Sequence, residues 1–283
     1  MKNLAIAGCA VITEAELELI PAPRAVIGAL SFLPDQSGAV RLVRLARAGP
    51  LTKDARLVAL EYFDGGALSL ARDQARKAGI IVPDSSGAAL YLEWHCDREA
   101  AADDALAALS EAVPEAGGSL DAVSVAETET ELERLKEFRH SVPESVNQLI
   151  AERKKSAPGI TKLGTDLSVP ASHLEEVLAL YREGLGRLGL ESVTFGHIGD
   201  NHLHVNILPR TETEYELGRE LYRGWAAAVV KMGGAVSAEH GIGKLKRDLL
   251  LEMYGPEAIE EMKRVKRVID PQFMLNRGNL FLP

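Results

Sequence analysis

Cysteine is almost absent from this 283-residue sequence, which contains only Cys9 and Cys96. The two lie far apart and form no CxxC motif, so neither a disulfide framework nor a cysteine zinc site is expected. A reducing cytoplasm is the default location for such a chain. No stretch reaches the roughly 18 apolar residues of a membrane-spanning helix, so no membrane span is expected. The apolar start near Met1 is shorter than the core of about 7–15 residues in a secretory signal, and we interpret it as a strand.

Positive charge is not in excess. The sequence has 32 lysines and arginines against 41 aspartates and glutamates, a formal net charge of −9. Nucleic acids are recognised through basic surfaces, so no nucleic-acid partner is expected. Small molecules and proteins remain as partners, and the sequence leaves a homo-oligomer open.

Nucleotide-binding loops are missing as well. No GxGxxG follows a predicted strand, which argues against NAD binding. Residues 241–244, Gly-Ile-Gly-Lys, look like the end of a phosphate-binding loop. However, Ala238 takes the first glycine position of GxxxxGK[ST] and Leu245 replaces the hydroxyl residue, so nucleotide hydrolysis is not expected.

Hydrophobic periodicity divides the chain into alternating strands and helices, which indicates an α/β or α+β sandwich with helices on one face of a sheet. Residues 11–20 alternate apolar and acidic positions and predict a half-buried strand that ends at Pro21. The further strands are predicted over residues 26–33, 56–63, 88–95, 119–125, 162–169, 193–197 and 203–208. The helices are predicted over residues 36–48, 68–78, 97–113, 172–188, 212–232, 244–253 and 256–269.

One more helix is predicted to begin near Thr128, where Glu131 completes a capping box. Proline lacks the backbone N–H that a helix interior needs, so Pro143 is expected to interrupt this helix.

Four of the seven histidines fall in two short segments, residues 196–206 (GHIGDNHLHVN) and 237–244 (SAEHGIGK). Imidazoles beside carboxylates on glycine-rich segments are typical of a divalent metal site or an acid–base centre.

His197 and His204 are seven residues apart, so on one unbroken strand their side chains would point to opposite faces. The turn residues at 199–201 allow two short strands to fold back and bring both rings to one pocket. Glu239 would then complete a three-ligand set with one open position. His202 is a competitor, because it lies two residues from His204 and shares its face. The alternative to any metal is a group of histidines hydrogen-bonded near a surface turn.

Three other side chains are candidates for chemistry. His240 sits between Glu239 and a flexible glycine turn, where an imidazole can accept a proton, although a histidine with no chemistry fits equally well. Asn206 shares the face of His204 and is either a hydrogen-bond donor to a ligand or a core amide. Arg139 could bind a substrate carboxylate, but a solvated helix face explains it more simply.

The two histidine segments, together with residues 245–250 (LKRDLL) and 270–278 (DPQFMLNRG), resemble the C-terminal domain of FAD-linked oxidases. That group contains D-lactate dehydrogenases, the glycolate oxidase flavoprotein subunit and D-2-hydroxyglutarate dehydrogenase. Residues 162–170 are similar to the "DVSVP" strand of the family, and residues 11–15 to the "GIITEA" segment that ends its FAD-binding domain.

The resemblance implies an α+β fold with a ferredoxin-like antiparallel sheet, helices packed on one face and a C-terminal helical segment. Residues 1–22 would be the end of a FAD-binding domain, and residues 23–283 the substrate or cap domain. FAD would be held mainly by a missing domain or a partner chain, and the substrate would be a small 2-hydroxy acid.

Residue by residue, the resemblance assigns a metal site, most simply zinc, to His197, His204 and Glu239. It makes His240 the base that takes the hydroxyl proton. The other matched roles are substrate binding by Arg139 and Asn206 and a position near the flavin for Asn276.

The sequence also departs from the family pattern. Gly164 stands where 2-hydroxyglutarate-type members have a substrate-binding lysine, and Pro143 replaces a hydroxyl residue, which argues against a dicarboxylate substrate. Ala7 and Ala10 stand where glycines approach FAD in the family. The leading hypothesis is a component of an FAD-linked 2-hydroxy-acid dehydrogenase that is not competent alone. The alternatives are a non-catalytic metal- or ligand-binding subunit and a stand-alone metal-assisted hydrolase.

Overall fold

A computed structural model of the protein describes residues 11–48 and 54–282. Its eight strands are β1 Ala25–Leu33, β2 Ala55–Asp64, β3 Ala88–Cys96, β4 Val123–Ala126, β5 Leu163–Gly164, β6 Leu167–Ser168, β7 Ser192–Gly196 and β8 His202–Ile207. The α-helices in the same residues are α1 Gln36–Ala48, α2 Gly65–Leu70, α3 Arg72–Lys77, α4 Ala100–Glu115, α5 Glu129–Arg153, α6 Leu174–Leu188, α7 Glu212–Lys231 and α8 Arg247–Ile269, with a kink at Gly255.

The strands form one antiparallel sheet in the order β4-β1-β3-β2-β7-β8-β5, and β6 pairs with β8. The prediction of an α+β fold with an antiparallel sheet and a C-terminal helical segment is confirmed. None of the helices in the described part of the chain combines the length and the apolar character needed to cross a bilayer.

Helices cover both faces of the sheet rather than the single face that the sequence suggested. On one face, Leu92 of β3 belongs to a core that includes Val43 of α1 and Leu109 of α4. On the other face, Tyr91 of β3 belongs to a core with Phe138 of α5. Adjacent strand residues point to opposite faces, so a strand between two helical layers is apolar throughout and shows no alternation that would reveal the second layer.

A third core joins β8 to the helices that follow it. Val205 of β8 packs with side chains of α6, α7 and α8, among them Tyr181, Trp225 and Leu250. The rings of Tyr181 and Trp225 meet edge to face with centroids 4.8 Å apart. This core packs against β8 and therefore supports the hairpin that carries the histidines.

Several predicted elements differ from the structure. Residues 11–20 are exposed and lie in no strand, because no neighbouring strand among the described residues accepts their hydrogen bonds. The strand predicted near Met1 lies outside the described residues. Helix α5 continues through Pro143, held by the buried side chains of Val142 and Val146, so the proline does not end it. The capping box at Thr128 is present as predicted.

The predicted strand over residues 162–169 is divided into β5 and β6 by Thr165 and Asp166. Both side chains are buried, and both form hydrogen bonds with the histidine segments, Thr165 with Leu203 and Val205 and Asp166 with His240. The interruption therefore coincides with the candidate site.

Candidate metal and substrate site

The β7–β8 hairpin brings His197 and His204 together. His197 directly follows β7, a short 3₁₀ turn spans Ile198–Asp200, and Asn201 adopts the left-handed conformation that reverses the chain. The predicted turn is therefore present, and the two ring centroids lie 5.9 Å apart. Gly196 is needed here, since its φ is 130° and a Cβ on it would lie 2.9 Å from Cδ2 of His204.

Glu239 lies between the two rings. Its Oε1 is 3.0 Å from Nε2 of His197, and its Oε2 is 4.0 Å from Nε2 of His204. One ligand atom from each of the three residues lies within 4.8 Å of the others, a spacing that could hold a metal ion. The structure thus brings together the three residues that the sequence analysis selected.

The Nδ1 atoms of His197 and His204 each lie within hydrogen-bonding distance of an acceptor oxygen. Nδ1 of His197 lies 2.7 Å from Oε1 of Glu61, and Nδ1 of His204 lies 3.0 Å from the carbonyl oxygen of Thr165. Because both partners can only accept, both Nδ1 atoms donate, and in the neutral rings the Nε2 lone pairs face Glu239. This is the arrangement in which proteins orient histidine ligands, so the donor set fits a divalent ion.

Their surroundings shift the pKa values of His197 and His204 in opposite directions. The hydrogen bond that His197 donates to Glu61 raises the pKa of His197 above its usual value. Burial lowers the pKa of His204, which favours the neutral form that a metal ligand requires.

Asp166 fixes the loop that carries Glu239 and His240. The carboxylate is fully buried and accepts hydrogen bonds from the backbone N–H groups of Glu239 and His240, both at 3.1 Å. It also accepts from Ser237 Oγ at 2.7 Å and Lys246 Nζ at 2.6 Å. Burial alone would raise the pKa of Asp166, but its hydrogen bonds and the Lys246 charge hold that pKa well below its usual range.

His202 belongs to the same cluster. Its side chain is 3% exposed, with Nε2 3.1 Å from Oδ1 of Asp166 and Nδ1 3.6 Å from Oε1 of Glu239. Its ring centroid lies 4.4 Å from that of His204. The two histidine pairings that the sequence left open therefore fall in two possible ligand groups, His197–His204–Glu239 and Asp166–His202–His204, which share His204.

His240 lies at the open side of the cluster. Its ring stacks on that of His204 with a centroid distance of 5.1 Å and an interplanar angle of 12°. The side chain is 61% exposed. An imidazole that lies next to this candidate ligand set and is open to solvent can exchange protons with water.

Arg139 of α5 reaches the cluster through Glu61. Its guanidinium lies 2.8 Å from Oε1 of Glu61, the same oxygen that binds His197. The sequence analysis missed Glu61, although an acid within the apolar strand β2 is the kind of buried charge that needs a partner. It also missed the roles of Thr165 and Asp166.

Two further predicted site residues, Asn206 and Asn276, lie at the margin of the histidine cluster. Asn206 is buried, and its amide donates to the carbonyl of His204 at 3.3 Å. Asn276 lies in the segment after α8, where Leu280 N donates to Gly243 O at 2.9 Å and so holds this segment against the turn that follows His240.

Several proteins are similar to this chain in sequence. The family described as FAD linked oxidases, C-terminal domain, matches residues 22–280. A D-2-hydroxyglutarate dehydrogenase of Stutzerimonas stutzeri is 33% identical over 80% of this chain and 47% of its own length. Glycolate oxidase subunit GlcD of Bacillus subtilis is 28% identical over 96% of this chain and 54% of its own. A probable mitochondrial D-lactate dehydrogenase of Danio rerio is 27% identical over 95% of this chain and 51% of its own length. The chain spans about half the length of these relatives.

Solved structures show the same fold at low identity. p-Cresol methylhydroxylase has a TM-score of 0.61 at 13% identity, covering 93% of this chain and 54% of its own. The 4-ethylphenol oxidase from Gulosibacter chungangensis has a TM-score of 0.59 at 13% identity, and the match covers 94% of this chain and 55% of the oxidase. Because the family match extends over nearly the whole sequence, from residue 22 to residue 280, this chain belongs to the family of FAD-linked oxidase C-terminal domains.

Proposed function

We propose that this chain is the substrate- and metal-binding component of an FAD-linked 2-hydroxy-acid dehydrogenase of the D-lactate or glycolate type. The observation that carries the proposal is the convergence of His197, His204 and Glu239, with both imidazole Nδ1 atoms engaged by acceptors. The names of the relatives support the substrate class, since they act on 2-hydroxy acids.

His197, His204 and Glu239 would hold the metal. Two neutral imidazoles and one carboxylate suit zinc and similar divalent ions, and three protein ligands leave a position for substrate. When bound, such an ion supplies Lewis acidity to the hydroxyl and carboxylate oxygens of a 2-hydroxy acid.

The substrate would be held and deprotonated by side chains around that site. Arg139 pairs with the substrate carboxylate, and Asn206 adds an amide hydrogen bond. His240 accepts the hydroxyl proton as the hydrogen on the same carbon leaves as hydride, so that the alcohol becomes a carbonyl. FAD, when bound, supplies the hydride acceptor. We place Asn276 next to it and assign the flavin to a further domain or a partner chain.

The decisive experiment combines the purified chain with the flavoprotein that co-purifies with it. The mixture is expected to oxidise D-lactate or glycolate with an artificial electron acceptor, and neither component is expected to do so alone. The matched variant His240→Asn should retain metal and lose turnover. An inactive mixture in which the chain still binds metal and 2-hydroxy acids would instead identify a non-catalytic binding subunit.

A further inference from the structure

The turn that joins β7 to β8 is held by one side chain from another part of the fold. Nη2 of Arg47, in the last turn of α1, lies 2.7 Å from the carbonyl oxygen of Ile198 and 2.7 Å from that of Gly199. The same nitrogen lies 2.8 Å from Oδ1 of Asn201. It carries two N–H groups, so at least one of them is shared between two acceptors. Hydrogen bonds from a charged donor are among the stronger ones in proteins, so Arg47 ties α1 firmly to the turn.

The backbone of this turn is of a kind that needs support. Asn201 has a φ of 54°, in the left-handed region that residues other than glycine rarely adopt. Asparagine tolerates this region better than most residues because its short side chain can form hydrogen bonds there. Here Oδ1 of Asn201 accepts from Arg47, so the arginine fixes the side chain of the residue that reverses the chain.

Apolar packing restrains the turn as well. The side chain of Ile198 is fully buried and belongs to the same core as Val43 of α1. A Cβ on Gly199 would lie 3.0 Å from Cβ of Leu60, so the backbone of the turn lies directly against β2. The turn is therefore enclosed between β2 and α1, and Arg47 adds a polar contact to the apolar ones.

The histidines begin where this turn ends. His197 directly precedes the turn, and its carbonyl oxygen accepts at 3.1 Å from the backbone N–H of His202, which directly follows it. Strand β8 then carries His204, whose ring centroid lies 5.9 Å from that of His197. The shape of the turn therefore sets the separation of two candidate metal ligands. A ligand set must be held within about 0.5 Å of its productive geometry, so a small movement of the turn is enough to disturb the site.

We propose that Arg47 is a positioning residue for the metal site, an inference that rests on the proposed metal-binding function. Arg47 is not a ligand, because a guanidinium has no lone pair to give to a metal. It acts through the turn, whose fixed shape keeps His197 and His204 at the separation that lets them share one ion.

The charge of Arg47 and its positioning role have opposite effects on metal binding. A positive guanidinium repels a metal cation, so removal of the charge alone would strengthen binding. Loss of support for the turn would weaken it. A lower metal affinity in a neutral variant at this position therefore reflects lost positioning and not the change of charge.

The test measures Co²⁺ affinity by competition with a chromophoric chelator. Arg47→Gln is expected to weaken binding about 10–100-fold, the range found for outer-shell partners of metal ligands. Arg47→Lys keeps the charge but offers one ammonium in place of the planar fork, so it should recover part of the affinity. Arg41→Gln is the matched control, because Arg41 lies on the same helix and also donates to a distant backbone carbonyl, that of Ala116 at 2.9 Å. This control should bind Co²⁺ as the wild-type chain does.

Far-ultraviolet circular dichroism verifies folding, and Arg47→Lys is judged by the same criterion if Arg47→Gln does not fold. Wild-type or tighter Co²⁺ binding in the folded variant would overturn the proposal and leave the metal site of the proposed function in place. Equal weakening in Arg41→Gln would also overturn it, because the loss would then reflect general destabilisation. If the wild-type chain binds no Co²⁺, the proposal falls together with that metal site.

Discussion

The carboxylate of Glu61 on β2 accepts a hydrogen bond from Nδ1 of His197 across 2.7 Å. The same oxygen lies 2.8 Å from the guanidinium of Arg139. One buried acid thus links a proposed metal ligand to a proposed substrate-binding residue, so that the two are positioned together.

Replacing this acid tests the link. Glu61→Gln weakens the acceptor that orients His197, and metal affinity is expected to fall about 10–100-fold, as for other outer-shell partners. A competition titration with a chromophoric chelator measures it. Glu176→Gln is the matched control, since it removes a carboxylate from an exposed histidine pair at the same 2.7 Å distance. Equal affinities in wild type and Glu61→Gln would show that Glu61 does not support the site.

The metal-free protein should show the Glu61 contact in the titration of His197. Its pKa is raised by that hydrogen bond, so the stabilisation is complete below the unfolded value of about 6.5 and is lost as pH rises through the folded pKa. NMR titration of the ring should give a pKa above about 6.5 that decreases in Glu61→Gln. Since a metal displaces the proton, affinity should rise with pH over the same window. A His197 pKa unaffected by Glu61→Gln would contradict this assignment.

Asp166 is expected to matter for stability as well as for the site. In Asp166→Asn the half-buried ammonium of Lys246 loses its fully buried counter-charge, and the unfolding free energy should fall by about 3 kcal/mol. Urea denaturation measures the change. Asp73→Asn breaks only the exposed pair with Arg76 and should cost no more than about 1 kcal/mol. Similar values for the two variants would show that the buried pair adds nothing to stability.

Pro143 stands inside α5 and leaves the carbonyl of Arg139 without its helical N–H donor. Pro143→Ala restores that donor. We expect the unfolding free energy to rise by about 2 kcal/mol, because the cost of roughly 3 kcal/mol for an interior proline exceeds the roughly 1 kcal/mol lost through a more flexible unfolded chain. Pro170→Ala, before the 3₁₀ turn at Ala171–His173, should give no gain. Thermal denaturation that ranks Pro143→Ala at or below wild type would show that α5 is adapted to its proline.

Arg139→Lys tests substrate binding in the active mixture. Lysine cannot form the bidentate pair with a carboxylate, so KM for the 2-hydroxy acid should rise about tenfold, equivalent to about 1.4 kcal/mol. Steady-state kinetics with Arg134→Lys, an exposed arginine on the same helix, provide the comparison. If both variants have the wild-type KM, Arg139 does not bind the substrate carboxylate.

Much of the fold could be predicted from the sequence because helices, strands and helix caps are marked by patterns among neighbouring residues. The helix over Gln36–Ala48 was predicted with the same bounds, and the capping box at Thr128 marked the start of α5. The failures have long-range causes. Residues 11–20 have the alternation of a strand but no partner in the described chain, and α5 passes Pro143 because tertiary packing outweighs the lost hydrogen bond.

The sequence by itself determined which residues could form the site. The turn between His197 and His204 follows from glycine and asparagine chemistry, whereas the roles of Glu239 and His240 were assigned through the resemblance to FAD-linked oxidases. Only the tertiary structure decided how those residues are held. Glu61 meets His197 across 136 positions of sequence, and Asp166 meets His240 across 74. Such contacts depend on how strands are ordered in a sheet, and no local pattern of residues encodes that order.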